Sequence, residues 1–416
     1  RDSFVNTDFL LFPLFLEVVL SLLTHWNTYF TIFTGVGMAV VKVILLWDAC
    51  NIVNNGKKTW FLLPLLSALS FGGSAIDVFT FGQTSVTWGF CFLGFSFGIW
   101  CLVKIERDWL TSLLIGLAGI VSCWSGAIGF LVWPAFFVMM VVLGKRKWWQ
   151  YAALFGAAGV SGIPYVYFLI INPGPNKAAT SIANANFKYN IFATTYGWPF
   201  SNGIGINVFP YANDPAFWAG TFGLIAGLFA IFFYLLNWNT PVRRQSAPAF
   251  ALLTFGILSP FEILTFREFI GPWYNQQLLV YWIGLVMLAY VLWNNRKTAP
   301  ATFGWIKGRV RVTLERWLPT ALATWAIGLL LIVGFLYVTT QLTFDDKTMF
   351  LRLRSPAAAS CIREYKVASE ICEATLYNGY FARPVSLLAA PLEKNYMSVF
   401  APDQQWSLQG DFIING

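Results

Sequence analysis

Charge is what this chain has least of. Asp, Glu, Lys and Arg make up 11% of its 416 residues, against about 25% in an average soluble domain. A globule of that size could not be given a polar coat. Histidine occurs once, as His25, which excludes a multi-histidine metal site and a histidine-based triad with a residue to spare. Beside Trp26 it reads as an interfacial residue. No glycine-rich phosphate loop of the P-loop or dinucleotide type is present, which argues against ATP-driven transport within the chain. Ionisable groups are also scarce inside the apolar stretches, where an ion-coupled carrier needs them. Lys42 and Asp48 fall near one end of their stretch, and snorkelling is the expected explanation for both. Inverted internal repeats, the other carrier signature, are not evident.

What the chain has instead is apolar length. Hydrophobic residues reach 57% and aromatics 18%, with 20 Trp, and the mean hydropathy is +0.61. Apolar runs fall near 28–47, 60–79, 84–103, 109–122, 127–143, 149–171, 215–236, 248–265, 277–293 and 318–340. Each approaches the roughly 20 residues that cross a bilayer. The expected fold is an all-α integral membrane protein, a polytopic bundle of about ten spanning helices. The abundant Trp suits helix ends at headgroup level.

Lys and Arg lie in short loops between the runs, so the net charge of +8 bespeaks orientation and lipid headgroups rather than nucleic acid. The most basic loop, 294–317, holds Arg296, Lys297, Lys307, Arg309, Arg311 and Arg316, and is assigned to the cytoplasm. Alternation then brings Arg243/Arg244, Lys145–Lys147, Lys104/Arg107 and Lys57/Lys58 to the same side. The other side receives 80–83, 123–126, the long 172–214 loop, 266–276 and the tail from 341. An eleventh run, 9–23, is short and contains Pro13 and Glu17. It is expected to be a helix lying on the outer interface.

Three parts follow. Residues 1–27 are an outer-loop remnant with the interfacial helix, and Arg1 in place of Met leads us to expect further sequence upstream. Residues 28–340 are the transmembrane bundle. Its 172–214 loop contains Trp198, Phe200, Phe209 and Tyr211, with Trp218 just beyond, and is expected as short half-helices or a loop packed on the membrane surface. Residues 341–416 form a small extracytoplasmic cap with helix-like stretches 356–376 and 384–396. Cys50, Cys91, Cys101 and Cys123 read as small packing residues. Cys361 and Cys372 are disulfide candidates, since the tail lies where disulfides are permitted.

Acids and bases gather on the outer side. Asp2 and Asp8 precede the interfacial run, Asp77 lies near the outer end of its span, and Glu262, Arg267 and Glu268 flank another outer turn. Gln83 and Trp88 face the same compartment. A carboxylate at the mouth of an apolar bundle can act as a base or hold a divalent metal ion. An Arg beside it can grip a phosphate bidentately.

Several stretches carry a resemblance: Asn6–Pro13 followed by Leu23–Asn27, Gln83 through Trp88–Phe90, Ser125–Pro134, Phe266–Gly271, Tyr281–Leu285, and the tail from Cys361 to Phe400. Together they resemble a family of bacterial multi-pass proteins similar to the GT-C glycosyltransferases. The resemblance implies residence in the bacterial cytoplasmic membrane and transfer of a sugar from a polyprenyl-phosphate donor on the outer face. It implies an essential carboxylate in a first outer loop, expected upstream of Arg1. Within the chain the outer acids and bases themselves make Asp8 and Asp77 the candidate acid, base or metal ligands and Arg267 the candidate donor-phosphate anchor, with Glu262, Gln83, Trp88 and Tyr274 as further candidate substrate contacts. No cofactor follows from the sequence; a divalent metal ion on the outer carboxylates is the candidate. Two positions depart from the family pattern. Thr7-Asp8-Phe9 stands where a Glu-His-Arg-like basic pair is expected, and Trp273 stands where Arg would precede Tyr274.

The leading expectation is therefore a GT-C-like glycosyltransferase with membrane lipids and a polyprenyl-phosphate sugar as its partners. The lost positive charges keep a second reading open, a non-catalytic subunit bound to partner subunits in a larger membrane complex. A third, a transporter of lipid-linked glycans, would need a polar path through the bundle.

Overall fold

The computed structural model describes residues 4–5, 8–25, 28–54, 59–72, 82–145, 147–171, 189–200, 215–236, 241–266, 274–295 and 309–342, with 366, 393 and 394. A two-residue antiparallel ladder, β1 (Phe4–Val5) with β2 (Asp8–Phe9), pairs Val5 with Asp8 and Phe4 with Phe9. All other regular structure among the described residues is helical: α1 (Leu11–Thr24), α2 (Thr28–Val53), α3 (Leu62–Phe71), α4 (Gly82–Lys104), α5 (Asp108–Cys123), a 3-10 turn (Ala127–Leu131) and α6 (Val132–Leu143). There follow α7 (Trp148–Ile171), α8 (Tyr189–Gly197) with a 3-10 turn (Trp198–Phe200), α9 (Pro215–Leu236), the one-turn α10 (Val242–Gln245), α11 (Ala247–Phe266), α12 (Asn275–Asn294) and α13 (Arg309–Leu342).

Five helices among the described residues are long and apolar enough to cross a membrane: Tyr29–Val53, Thr84–Lys104, Ala216–Leu235, Ala247–Thr265 and Asn275–Asn294. The last is apolar on all sides and buried along nearly its whole length, from Asn275 to Leu292, so it forms the axis of the bundle. Its large side chains satisfy their polar tips inside. Trp282 Nε1 donates to the Tyr196 carbonyl at 2.9 Å and the Tyr281 hydroxyl to the Gly223 carbonyl at 2.7 Å, as buried indoles and phenols require.

Some expectations change. The apolar run 127–143 is not one helix: a 3-10 turn leads into α6. The segment around Trp198 and Phe200 is helical, as half-helices would be, and these two aromatics turn inward. Ile191, Tyr196, Trp198 and Phe200 are buried against the bundle. Small residues make this possible, because a Cβ at Gly197 or Gly220 would overlap the Ala216 or Ala193 carbonyl of the facing helix. Trp218, in contrast, is exposed, and Phe209 and Tyr211 lie outside the described residues. So do Cys361, Cys372 and nearly all of the expected cap, of which the Lys366–Glu393 ion pair, 2.7 Å long, is described. Cys50, Cys91, Cys101 and Cys123 are buried.

α1 has 14 residues and is about 21 Å long, shorter than the roughly 30 Å apolar core of a bilayer. Pro13 sits in its first turn, where a missing N–H costs no helical bond. Leu11, Phe15, Val18 and Leu22 form an exposed apolar stripe at helical spacing. Phe12 stacks on Trp124 (6.1 Å between centroids) and approaches Phe90, which holds α1 to the bundle. His25 ends the helix in the left-handed region (φ 49) and returns its N–H to the Ser21 carbonyl.

Lys145, Lys147 and Arg243 meet at one end of the bundle. α6 closes on Gly144 (φ 74), with the Lys145 N–H on the Met140 carbonyl at 3.0 Å, a Schellman ending. Arg243 donates to the Val141 and Val142 carbonyls of that same helix end, so a cation caps the negative pole. Lys147 and Lys145 reach Asp108 at 2.6 and 3.5 Å. The hydrogen bond from Lys147 is the largest effect on the Asp108 carboxyl; burial opposes it, but with the two nearby ammonium charges added the carboxyl is held below its usual range. A depressed carboxyl stabilises the fold above its unfolded value, about pH 3.9, and loses that contribution as pH falls through its folded value. Asp108→Asn should therefore lower stability slightly at pH 7, by less than about 1 kcal/mol for so exposed a pair, and by less at about pH 2 than at pH 7. A difference of equal size at both pH values would refute the assignment.

Candidate functional site

The opposite end of the bundle carries buried polar groups in an apolar setting. α2 and α4 run parallel there, since Gly35 faces Ser85, Met38 faces Gly89, and farther down Asp48 accepts from Trp100 Nε1 at 2.7 Å. Between these levels Lys42 of α2 points inward and is only 6% exposed. This corrects the snorkelling expectation. α2 continues to Val53 rather than ending near 47, so the ammonium lies about 16 Å from that helix end, beyond a lysine's reach.

Lys42 Nζ donates to Gln276 Oε1 at 3.2 Å and lies 5.6 Å from the centre of the Phe92 ring, a cation–π distance. Among the described residues no carboxylate lies within 4 Å of it. Gln276 Nε2 in turn donates to the Ser70 carbonyl near the end of α3, at 2.8 Å. The next residue of α12, Gln277, uses its Nε2 on Glu262 Oε2 at 3.2 Å and on the Ser259 carbonyl at 3.4 Å. Successive helical residues diverge by about 100°, so the head of α12 holds a cation on one side and a carboxylate on the other. Asn275, Gln276 and Gln277 are all buried.

An aromatic wall adjoins them. Trp88 stacks on Phe92 (5.5 Å) and meets Tyr274 edge-on (6.2 Å). Gly35, Met38, Ala39, Lys42, Ser85 and Trp88, with Gly89, Phe92 and Gln276, enclose a small pocket of about 10 Å³, space for about one water-sized atom. The Ser85 hydroxyl is buried with no hydrogen-bond partner among the described residues.

Of the residues singled out by sequence, the structure thus brings Trp88 and Tyr274 into contact and places Glu262 on the adjoining amide. Gln83 lies on α4, but its side chain is outside the described set, as are Asp77 and Arg267 altogether. Asp8 is placed by its backbone in β2. Its neighbour Phe9 is fixed, with its N–H on the Tyr165 hydroxyl at 3.4 Å and its ring against Trp124 and Tyr165. Tyr165 itself donates to the Cys123 carbonyl at 2.8 Å. Tyr165→Phe should therefore speed amide hydrogen exchange over residues 4–9 several-fold while costing about 1 kcal/mol of stability. Unchanged exchange would show that the phenol does not hold the ladder. No three metal-ligating side chains gather among the described residues, so these groups provide no metal centre by themselves.

Sequence reasoning missed Lys42, Gln276 and Gln277. The available signal was cost: a charge inside an apolar run and three successive amides at the head of another are expensive in lipid and mark function. No protein family matches this chain, and no curated protein or solved structure does either, so its site is read from its own chemistry.

Proposed function

We propose that the protein is a polytopic membrane glycosyltransferase of GT-C type that moves a sugar from a polyprenyl-phosphate donor at the outer face. The observation that carries this reading is the buried polar and aromatic cluster around Lys42, Gln276, Gln277, Glu262, Trp88 and Tyr274. It lies at the end of the bundle away from the basic loops, which the positive-inside rule assigns to the cytoplasm. In this reading about ten helices span the membrane, α1 lies on the outer interface with its apolar stripe in lipid, and the tail forms an outer cap. Asp8 or Asp77 takes the proton of the acceptor hydroxyl as that oxygen attacks the sugar carbon and the lipid phosphate departs. Arg267 neutralises the departing phosphate, and Trp88 and Tyr274 form an apolar wall beside the polar cluster.

The test is transfer of sugar by the purified full chain in lipid nanodiscs, from a panel of polyprenyl-phosphate sugars to lipid and glycan acceptors. Turnover of any one donor that is lost with Arg267→Ala supports the proposal. No turnover, with other membrane subunits co-purifying in fixed ratio, would favour the scaffold reading that the missing basic residues motivate.

A further inference from the structure

We infer that the pocket between α2, α4 and the head of α12 is a binding site for one phosphate oxygen of a polyprenyl-phosphate lipid, with Lys42 as its anchor. The inference deepens the proposed function and rests on its premise of a lipid-linked substrate. An ammonium has three donors, and Lys42 uses one, on Gln276, a neutral partner. A buried charge without a counterion is unfavourable, and among the described residues none is within 4 Å. The hydroxyl of Ser85, 1% exposed, lines the same pocket from the facing helix and has no partner. Two unspent donor groups on different helices thus converge on a space that holds about one oxygen atom.

The space is kept open by glycine. A Cβ at Gly35 would overlap the Ser85 hydroxyl, and one at Gly89 would fall 2.7 Å from Met38 Sδ. The pocket admits an oxygen but no sugar ring, so the glycan must lie outside it. Its other walls, Met38, Trp88 and Phe92, are apolar and favour an anion that arrives on a hydrocarbon chain over one that arrives from water. Charge-assisted hydrogen bonds from an ammonium and a hydroxyl to a phosphate oxygen are the strong kind, and they would neutralise the one buried cation described here.

The test uses the full chain in nanodiscs of neutral lipid, with native mass spectrometry and thermal midpoints as readouts. Polyprenyl monophosphate should bind at least about tenfold tighter than the matching polyprenol, equivalent to about 1.4 kcal/mol. Lys42→Met should abolish that preference and raise the midpoint of the ligand-free protein, because the buried charge is gone. Lys42→Arg should keep part of the preference, and Ser85→Ala should weaken it severalfold. Inorganic phosphate that competed as effectively as polyprenyl monophosphate would show an aqueous anion site and overturn the lipid assignment. Equal binding of phosphate and alcohol, or a preference that survives Lys42→Met, would overturn it, as would phosphatidylglycerol binding as tightly as the monoester. Loss of phosphate binding in Lys42→Met, with no donor turned over by the wild type, would leave the site standing and remove the transferase reading. Unimpaired transfer by Lys42→Met would do the reverse.

Discussion

Gly256→Leu is expected to abolish most of the folded protein, while Gly156→Leu is expected to change almost nothing. At Gly256 a Cβ would fall 2.5 Å from Tyr281 Cα and 2.6 Å from its nitrogen. These are backbone atoms of the central helix, so no rotamer change makes room and α11 must move away from α12. Overpacking of this kind costs about 1–3 kcal/mol by itself. The displacement also strains the Tyr281–Gly223 hydrogen bond and the neighbouring Trp282–Tyr196 bond, each contributing about 1 kcal/mol. Against a total stability of about 5–15 kcal/mol, that sum threatens the fold. Gly156 on α7 has nothing within 4 Å of its would-be Cβ, so a leucine there meets only open space. Size-exclusion profiles and thermal midpoints in detergent would compare the two. Equal losses would show that helix propensity or insertion, not contact with Tyr281, sets the outcome.

The same helix shows how far the sequence could be read. Apolar run length located α2, α4, α9, α11 and α12, because five stretches are long and apolar enough to declare themselves. Loop charges announced an end of the bundle where Arg243, Lys145 and Lys147 do meet helix ends and Asp108. What run length could not supply was facing. The burial of Lys42 depends on α2 and α4 running parallel with Gly35 and Gly89 between them, and on Gln276 arriving from 234 positions away. The docking of α8 failed to register for a similar reason. Its contact with α9 is built from Ala193 and Gly197, whose value is smallness against a particular neighbour rather than hydrophobicity. Trp88 and Tyr274 were legible as outer-end aromatics, but their contact joins helices that only the fold brings together.

Asp8→Asn or Asp77→Asn, whichever removes the general base, should lower sugar transfer by about 10²–10⁴-fold. The substitution keeps size and shape but cannot take a proton, so the loss should fall on kcat with KM little changed. Asp8 has the stronger positional argument. It pairs with Val5 in the ladder, and Phe9 beside it is tied to Tyr165 and packed on Trp124, so its backbone is held against the end of the bundle away from the basic loops. A base on a fixed backbone can be aimed at an acceptor hydroxyl, and loosening it through Tyr165→Phe should then lower kcat with no change in the pH profile. Loss of the base itself should remove the acid limb of that profile, since the carboxylate must be deprotonated to act. Glu262→Gln should have a far smaller effect on kcat, because one oxygen of Glu262 is already engaged by Gln277 and its role is to hold the head of α12. If Glu262→Gln abolished transfer while both aspartate variants retained it, the base would have to be reassigned to α11.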